Sequence, residues 1–226
     1  MPDSHFRAVF ISPHLDDAVF SCAGQIARLV AEGPVLVLNI FTQYLSEVKN
    51  RGVVLGEERY AEEAAAASFL GFSSRRLDEL DVSFRDDAYR SLAKIFRAPI
   101  ERDVAAFPAL QEKVLQSLAD VTFDQLYLPL AVGWHVDHVL AHLVFQPWQA
   151  RSELVYYEDA PYCLLPHATR YRLNELGTYA RPPHDVSLAP ADDHRAWWDT
   201  TTAFMGTALM KNVKPWLVRM LGVPVV

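Results

Sequence analysis

Two short stretches of the 226-residue chain carry the side chains that could do chemistry. One lies at 12–17 and the other at 129–138, and each follows an apolar run. Between them they contain His14, Asp16, Asp17, His135, Asp137 and His138. Imidazole and carboxylate groups bind catalytic divalent metals and also act as general acids and bases. The two stretches therefore indicate metal-assisted chemistry.

The first stretch stands where a dinucleotide-binding fold would carry a glycine-rich turn. Such a turn brings backbone N–H groups close to a pyrophosphate, whereas Asp16 and Asp17 would repel one unless a cation lay between them. The competing interpretation is that one aspartate caps the following helix. Capping explains neither the second aspartate nor His14, so the turn favours a metal over a bare nucleotide.

The second stretch carries histidines at helical spacing. His135 and His138 are three residues apart, and His142 follows His138 by four, so each pair can share a helix face. A lone helical histidine is usually structural, but this group stands beside Asp137 just after a predicted strand. We expect a site here. The sequence leaves open whether His142 is a metal ligand or a supporting or surface residue.

Alternating strands and helices must position these residues. Apolar runs predict strands at 8–11, 35–41, 76–80, 125–129 and 154–158, and helices at 17–31, 57–70, 109–118, 135–145 and 192–210, with 81–107 as an irregular excursion. This order predicts an α/β fold with a mostly parallel sheet and helices on both faces. Ligands bind beyond the carboxyl ends of such strands, where both motifs would meet. We expect a single domain over 1–226, with 160–226 a weakly patterned extension.

Composition excludes several classes of protein. Hydrophobic residues make up 51% of the chain, too many for a disordered protein, and the net charge of −7 disfavours nucleic-acid binding. Cys22 and Cys163 could form one bridge but no disulfide framework or four-cysteine zinc site. No signal-peptide pattern or 18-residue apolar run is present, so we expect a cytoplasmic protein without membrane insertion. An oligomer is compatible with this composition.

The motifs together resemble one known family. P-H-x-D-D at 13–17 and H-x-D-H at 135–138, with an R-x-x-E helix at Arg59 and Glu62 that ends in Leu70-Gly71, are similar to the PIG-L/LmbE-like zinc-dependent N-acetylglucosaminyl de-N-acetylases. The resemblance covers residues 7–160. It implies a Rossmann-like three-layer α/β fold and a single LmbE-like hydrolase domain.

The resemblance also implies a metal site. It assigns His14, Asp17 and His138 as ligands of Zn²⁺, with another divalent ion such as Fe²⁺ as the alternative. Two positions depart from the family's pattern, since Ala18 replaces a frequent glutamate and Val136 a frequent proline. Neither departure removes a ligand, but the contacts usually made by that glutamate cannot be carried over.

Further roles follow by the same resemblance. Asp16 would be the general base, His135 would stabilise the oxyanion or protonate the leaving amine, and Asp137 would orient one of the histidines. From residue type and position alone, the candidate substrate contacts are Trp134, Arg85, Tyr157 and Arg59. Packing or surface roles compete with each of these four.

We therefore expect a zinc-dependent amidohydrolase that removes an N-acyl group, in the first place acetyl, from a small amino sugar or its glycoside. One alternative is a metal hydrolase of a non-sugar amide or ester. Another is a non-catalytic protein that binds a sugar or nucleotide-sugar. The intact set of histidines and aspartates favours an enzyme, because a decayed site would have lost at least one of them.

Overall fold

The structure, a computed structural model, describes residues 4–44, 56–90, 94–148, 151 and 153–176. The chain divides into two compact units, Met1–Cys163 and Leu164–Val226. In the second unit the described helix is α6, Ala168–Glu175. The helix predicted at 192–210 lies outside the described residues. The single domain expected over 1–226 stays a prediction.

Five parallel strands form one sheet in the order β3-β2-β1-β4-β5. They are β1 Ser4–Ser12, β2 Val35–Asn39, β3 Ser73–Arg76, β4 Val121–Pro129 and β5 Leu154–Tyr157. The chain runs outward from β1 to β3 and then returns to the other side of β1. The strand order therefore reverses between β1 and β4, and ligands bind at such a reversal in open α/β sheets.

Helices connect the strands, as parallel pairing requires. In the first unit they are α1 Asp17–Val30, α2 Gly56–Leu70, α3 Val82–Arg85, α4 Glu101–Ser117 and α5 Val136–Val144. Helix α1 packs against α2, and α4 packs against α5. Every residue of β2 is buried, as its continuous apolar run predicts. The predicted three-layer α/β class is confirmed.

The core beneath α1 comes from the apolar spacing of that helix. Cys22, Ile26 and Leu29 recur at helical spacing and are all buried. Below them, the rings of Phe10 and Tyr127 stack with their centroids 4.2 Å apart, which ties β1 to β4. Full burial of a leucine or isoleucine side chain contributes about 1.5–3 kcal/mol. The core therefore stabilises the two strands that end at the candidate site.

Several element bounds differ from the sequence-based predictions, and β1 begins at Ser4 and β4 at Val121, where we expected 8 and 125. Strand β3 lies at Ser73–Arg76, not at 76–80, and α4 begins at Glu101 and includes Pro108, where we expected a helix from 109. A proline inside a helix costs about 3 kcal/mol, so the helix should not extend through it on propensity alone. The Asp103 carboxylate offsets part of this cost, because it accepts the Ile100 N–H at 3.2 Å and caps the first turn.

Two smaller findings concern the thiols and the helices. Cys22 and Cys163 are both free, so the bridge that the sequence allowed is not formed. In the described part of the chain, no helix combines the length and the apolar character needed to cross a membrane.

Candidate active site

A serine shapes the turn between β1 and α1. The Ser12 hydroxyl accepts the Ala18 N–H at 3.0 Å and donates to the His14 carbonyl at 2.5 Å. The His14 N–H in turn donates to Asp17 Oδ2 at 2.8 Å. These bonds close the turn tightly. As a result, the side chains of His14 and Asp17 are buried beside each other at the carboxyl end of β1.

The loop between β4 and α5 is strained. Ala131 and Trp134 adopt φ values of 60° and 55°, in a region that side chains other than glycine seldom occupy, and Gly133 lies at 87°. Such conformations persist where surrounding contacts hold them. One of these contacts is the Asp159 carboxylate, whose Oδ2 accepts the Val132 N–H at 2.9 Å. The loop places the first turn of α5 at the edge of the sheet where the turn between β1 and α1 also lies.

The three predicted metal ligands meet at one carboxylate oxygen. Asp17 Oδ2 lies 2.9 Å from His14 Nδ1 and 3.2 Å from His138 Nε2. The far nitrogen of each ring faces another carboxylate: His14 Nε2 is 3.0 Å from Asp137 Oδ2, and His138 Nδ1 is 2.6 Å from Asp159 Oδ1. Metal-binding histidines typically have a carboxylate or carbonyl on the nitrogen away from the metal.

The charges of this cluster depend on one another. Burial raises the pKa of Asp17, but His138 and His14 outweigh burial and hold that pKa well below its usual value. Burial lowers the pKa of His138, yet Asp17 and Asp159 raise it to about 9. A buried carboxylate thus depends on positive charge beside it. A bound cation can supply that charge in place of ring protons.

The residues present fit a divalent metal ion. His138 Nε2 is buried and has no hydrogen-bond partner within the described residues, although Asp17 lies nearby. One nitrogen from each of His14, His135 and His138 lies within 4.8 Å of the others, and a second such group joins His14 to Asp81 and Asp137. Imidazole and carboxylate donors without cysteine suit an open, catalytic metal site.

His135 is arranged as a hydrogen-bond donor. Its Nδ1 accepts the Asp137 N–H at 3.3 Å, so in the neutral ring Nε2 carries the hydrogen. Burial, followed by the charges of His138 and His14, holds the pKa of His135 well below its usual value. The ring centroid lies 5.0 Å from those of both other histidines. The group beside the predicted ligands is therefore a neutral imidazole.

Asp16 is the open carboxylate of the site. Its side chain is 43% exposed, whereas that of Arg59, which donates to Asp16 Oδ1 at 2.7 Å, is 19% exposed. Burial lowers the pKa of Arg59, but Asp16 and the other nearby acids outweigh it and raise that pKa. The guanidinium also lies over the Tyr44 ring, 5.0 Å from its centroid. Arg59 therefore holds Asp16 at the entrance to the buried cluster.

The other predicted substrate contacts lie in different surroundings. Arg85 is buried between two acids, with Nη1 2.5 Å from Asp137 Oδ1 and Nε 3.1 Å from Asp103 Oδ1. Tyr157 belongs to the core, and its hydroxyl donates to the Ile11 carbonyl at 2.7 Å. Trp134 precedes His135 in the strained loop. The structure brings Arg59 and Arg85 to the acids of the site, whereas Tyr157 lies in the core, where burial and then the charges of Asp159 and Asp17 raise the pKa of its hydroxyl.

His142 lies away from the two ligand groups. Its Nδ1 donates to the Pro129 carbonyl at 2.9 Å, and its ring lies 5.4 Å from that of Tyr156.

The structure adds three acids, Asp81, Asp103 and Asp159, to which the sequence motifs assigned no role. Asp81 and Asp159 each stand just past a strand-like segment, and that position could have marked them as neighbours of the site.

The fold and the site define a parallel α/β protein whose histidine–carboxylate centre, suited to a divalent metal, lies at the reversal of strand order. Residues 9–148 match the family described as "PIG-L: GlcNAc-PI de-N-acetylase". The chain belongs to this family, which confirms the resemblance carried by the motifs.

Several known proteins that are similar to this chain are deacetylases. The 2'-N-acetylparomamine deacetylase of Streptomyces fradiae is 28% identical over 165 residues, which are 69% of this chain but only 57% of that relative. A deacetylase–bog complex from teicoplanin biosynthesis is 22% identical, covers 70% of this chain and 69% of its own, and superposes with a TM-score of 0.61. The zinc-inhibited form of the teicoplanin deacetylase Orf2 is 21% identical, with 70% of each chain covered and a TM-score of 0.57. At these identities the solved structures support the fold alone.

Proposed function

We propose that the chain is a zinc-dependent hydrolase that removes an N-acyl group, in the first place acetyl, from an amino sugar or its glycoside. One observation carries the proposal: Asp17 Oδ2 lies within 2.9 Å and 3.2 Å of the two histidine nitrogens, while Asp16 beside it faces outward. Family membership supports the reaction class. The relative that deacetylates 2'-N-acetylparomamine supports the substrate class.

His14, Asp17 and His138 would hold the metal. When bound, zinc supplies a Lewis acid that makes water more acidic and an amide carbonyl more electrophilic. The histidine–aspartate donor set without cysteine is typical of catalytic zinc. Because a similar deacetylase has been solved in a zinc-inhibited form, Fe²⁺ and Co²⁺ belong in the same tests.

Asp16 is the proposed general base. Its Oδ1 accepts from Arg59 Nη2, its side chain is more exposed than that of Arg59, and it stands next to the proposed ligand Asp17. A carboxylate that is not a ligand can take the proton of the attacking water. Arg59 keeps the carboxylate aimed at the entrance, so that the lone pair of Oδ2 remains available for this proton.

His135 is the proposed partner of the carbonyl oxygen. Its Nε2–H can donate to that oxygen as negative charge develops there, and a donor already in place stabilises the transition state without reorganisation. Collapse of the tetrahedral intermediate places a proton on the amine nitrogen. That proton comes from His135 or from Asp16, which by then carries the proton taken from water.

Trp134 and Arg59 are the proposed substrate contacts. The indole precedes His135 and can stack on the apolar face of a sugar ring, and the guanidinium can donate to hydroxyl groups. The Arg85 guanidinium lies between two buried acids, and the Tyr157 hydroxyl donates to the Ile11 carbonyl within the core, so we assign neither residue a contact with substrate.

A substrate panel tests the proposal. Purified protein loaded with Zn²⁺, Fe²⁺ or Co²⁺ is incubated with N-acetylglucosamine glycosides, non-sugar acetamides and esters, and the released amine or alcohol is measured. We expect turnover of the glycosides that a chelator abolishes. Asp16→Asn should lower kcat by about 10²–10⁴-fold, as loss of a general base does. The control Asp87→Asn, which changes an exposed acid in a surface ion pair, should leave kcat unchanged.

The alternatives give different results. Faster turnover of non-sugar amides or esters would indicate the other class of hydrolase. Sugar binding that is insensitive to chelators and is not followed by release of an amine would indicate a binding protein. Full activity of Asp16→Asn would contradict the assigned base.

A further inference from the structure

A buried ion-pair network lies beside the metal centre. Arg85 bridges two acids, with Nη1 2.5 Å from Asp137 Oδ1 and Nε 3.1 Å from Asp103 Oδ1. The side chains of Arg85, Asp137 and Asp103 are only 15%, 0% and 4% exposed. Burying such charges is costly, and removing one partner leaves another uncompensated. The free-energy cost of burying these charges points to a role for the network other than stabilising the fold.

The guanidinium is held from several directions. Nη1 donates to the Leu80 carbonyl at 3.1 Å, and the guanidinium carbon lies 5.0 Å from the Phe41 ring centroid and 5.9 Å from that of Tyr89. Its acidic partner Asp103 is fixed in turn by the Tyr89 hydroxyl, which donates to Oδ2. A planar fork held in this way presents its N–H groups in fixed directions. A lysine ammonium cannot reach both acids in the same geometry.

The Asp137 carboxylate divides its two oxygens between Arg85 and the metal centre. Oδ1 faces Arg85, while Oδ2 accepts the Val82 N–H at 3.1 Å and lies 3.0 Å from His14 Nε2. A carboxylate fixed through both oxygens cannot rotate away from the imidazole. His14 then keeps its other nitrogen, Nδ1, 2.9 Å from Asp17 Oδ2.

We propose that Arg85 is a positioning residue of the metal centre. It fixes Asp137, and Asp137 holds the His14 ring so that Nδ1 is presented to the metal. The inference rests on the proposed function only in taking His14 as a metal ligand. This positioning role replaces the substrate contact that the sequence suggested for Arg85, because the guanidinium lies between the carboxylates of Asp137 and Asp103.

The inference predicts coupled losses of metal affinity. Removing a carboxylate behind a ligating histidine typically lowers metal affinity about 10- to 100-fold. Asp137→Asn should fall in this range, and Arg85→Met should weaken binding about 10-fold or more by the same principle. If Arg85 acts through Asp137, the double variant should bind the metal no more than about twofold more weakly than Asp137→Asn alone.

The experiment measures Zn²⁺ and Co²⁺ dissociation constants by competition with a chromophoric chelator. It uses the full chain and its variants Arg85→Met, Arg85→Lys, Asp137→Asn and Arg85→Met/Asp137→Asn. Arg90→Met is the matched control, since it removes an exposed ion pair in the same segment. Urea unfolding of the metal-free proteins reports stability separately. We expect Arg85→Lys to lose affinity although it keeps the charge, and Arg90→Met to bind like the wild type.

Three results would overturn the inference. The first is folded Arg85→Met or Arg85→Lys that binds metal within twofold of the wild type; the lysine variant decides if Arg85→Met does not fold. The second is a double variant whose loss of metal affinity equals the product of the losses measured in the two single variants. The third is a wild-type chain that binds no divalent metal, which overturns the proposed function as well. Normal metal coupling without deacylase activity would contradict the proposed reaction and support the role of Arg85.

Discussion

Both ligating histidines of the proposed metal centre have a carboxylate behind them. Asp137 serves His14 and Asp159 serves His138, each within hydrogen-bond distance of the ring nitrogen that faces away from Asp17. Such a partner fixes the tautomer and orientation of the ring and raises its basicity. One buried acid therefore fixes the orientation of each proposed ligand.

Asp159 provides a direct test at one side chain. Its Oδ1 holds His138 Nδ1 at 2.6 Å, and its Oδ2 accepts the Val132 N–H at 2.9 Å. Asp159→Asn should lower metal affinity about 10- to 100-fold. Chelator competition measures the effect, and the neighbouring exposed Glu158, changed to glutamine, is the control. Unaltered affinity in Asp159→Asn would contradict a supporting role for this acid.

The loop between β4 and α5 holds the second motif in place. Three of its residues have left-handed φ, and its Val132 N–H donates to the carboxylate of Asp159, which follows β5. A loop with several such residues is unfavourable by itself, so the contacts around it must maintain it. The orientation of His135 and His138 depends on this loop as much as on helix α5.

Two glycine-to-alanine substitutions compare the strained loop with an exposed position in helix α1. Gly133 has φ of 87°, and a Cβ there would lie 2.7 Å from Tyr162 Cβ and Cγ. Gly133→Ala should therefore lower the free energy of unfolding by about 1–3 kcal/mol. Gly24→Ala is the matched change, because nothing lies within 4 Å of a Cβ in that exposed part of α1. We expect it to raise stability by up to about 1 kcal/mol.

Urea unfolding of the metal-free variants measures both changes. The signs should be opposite, since one alanine meets a ring and a strained backbone while the other gains helix propensity. Equal stability of the two variants would mean that the loop relaxes at little cost.

We expect the sheet, and not a bound metal, to maintain the fold. Strand order places the ends of β1 and β4 side by side, and the stacked Phe10 and Tyr127 rings join these strands in the core away from the site's polar groups. The metal centre closes a polar cluster at one edge of this sheet. The apolar core should therefore survive without the metal.

Metal removal tests this expectation. A chelated protein should keep its far-ultraviolet circular dichroism, while metal at 100 times its Kd should raise the free energy of unfolding by about 2.7 kcal/mol through binding linkage. Thermal and urea unfolding with and without added Zn²⁺ measure the difference. Loss of helical signal on chelation would show instead that the metal is structural.

The sequence could predict the family, the fold class and the two motifs, because all three depend on local patterns of residue type. Continuous apolar runs mark buried parallel strands, and the histidines and aspartates of both motifs directly follow such runs. In a parallel sheet the carboxyl ends of strands share one edge, so even the meeting of His14 with His138 follows from order along the chain.

Only the tertiary structure decided which acid or base each site residue meets. The pairing of Arg85 with Asp137, the place of Asp159 behind His138 and the burial of Tyr157 in the core join segments far apart in the sequence. The inclusion of Pro108 in α4 likewise appears only in the folded chain, because a proline is unfavourable inside a helix on propensity alone. Local periodicity reports which residues are apolar, but ion pairs, capping contacts and burial depend on how distant segments pack, and packing is decided only when the whole chain folds.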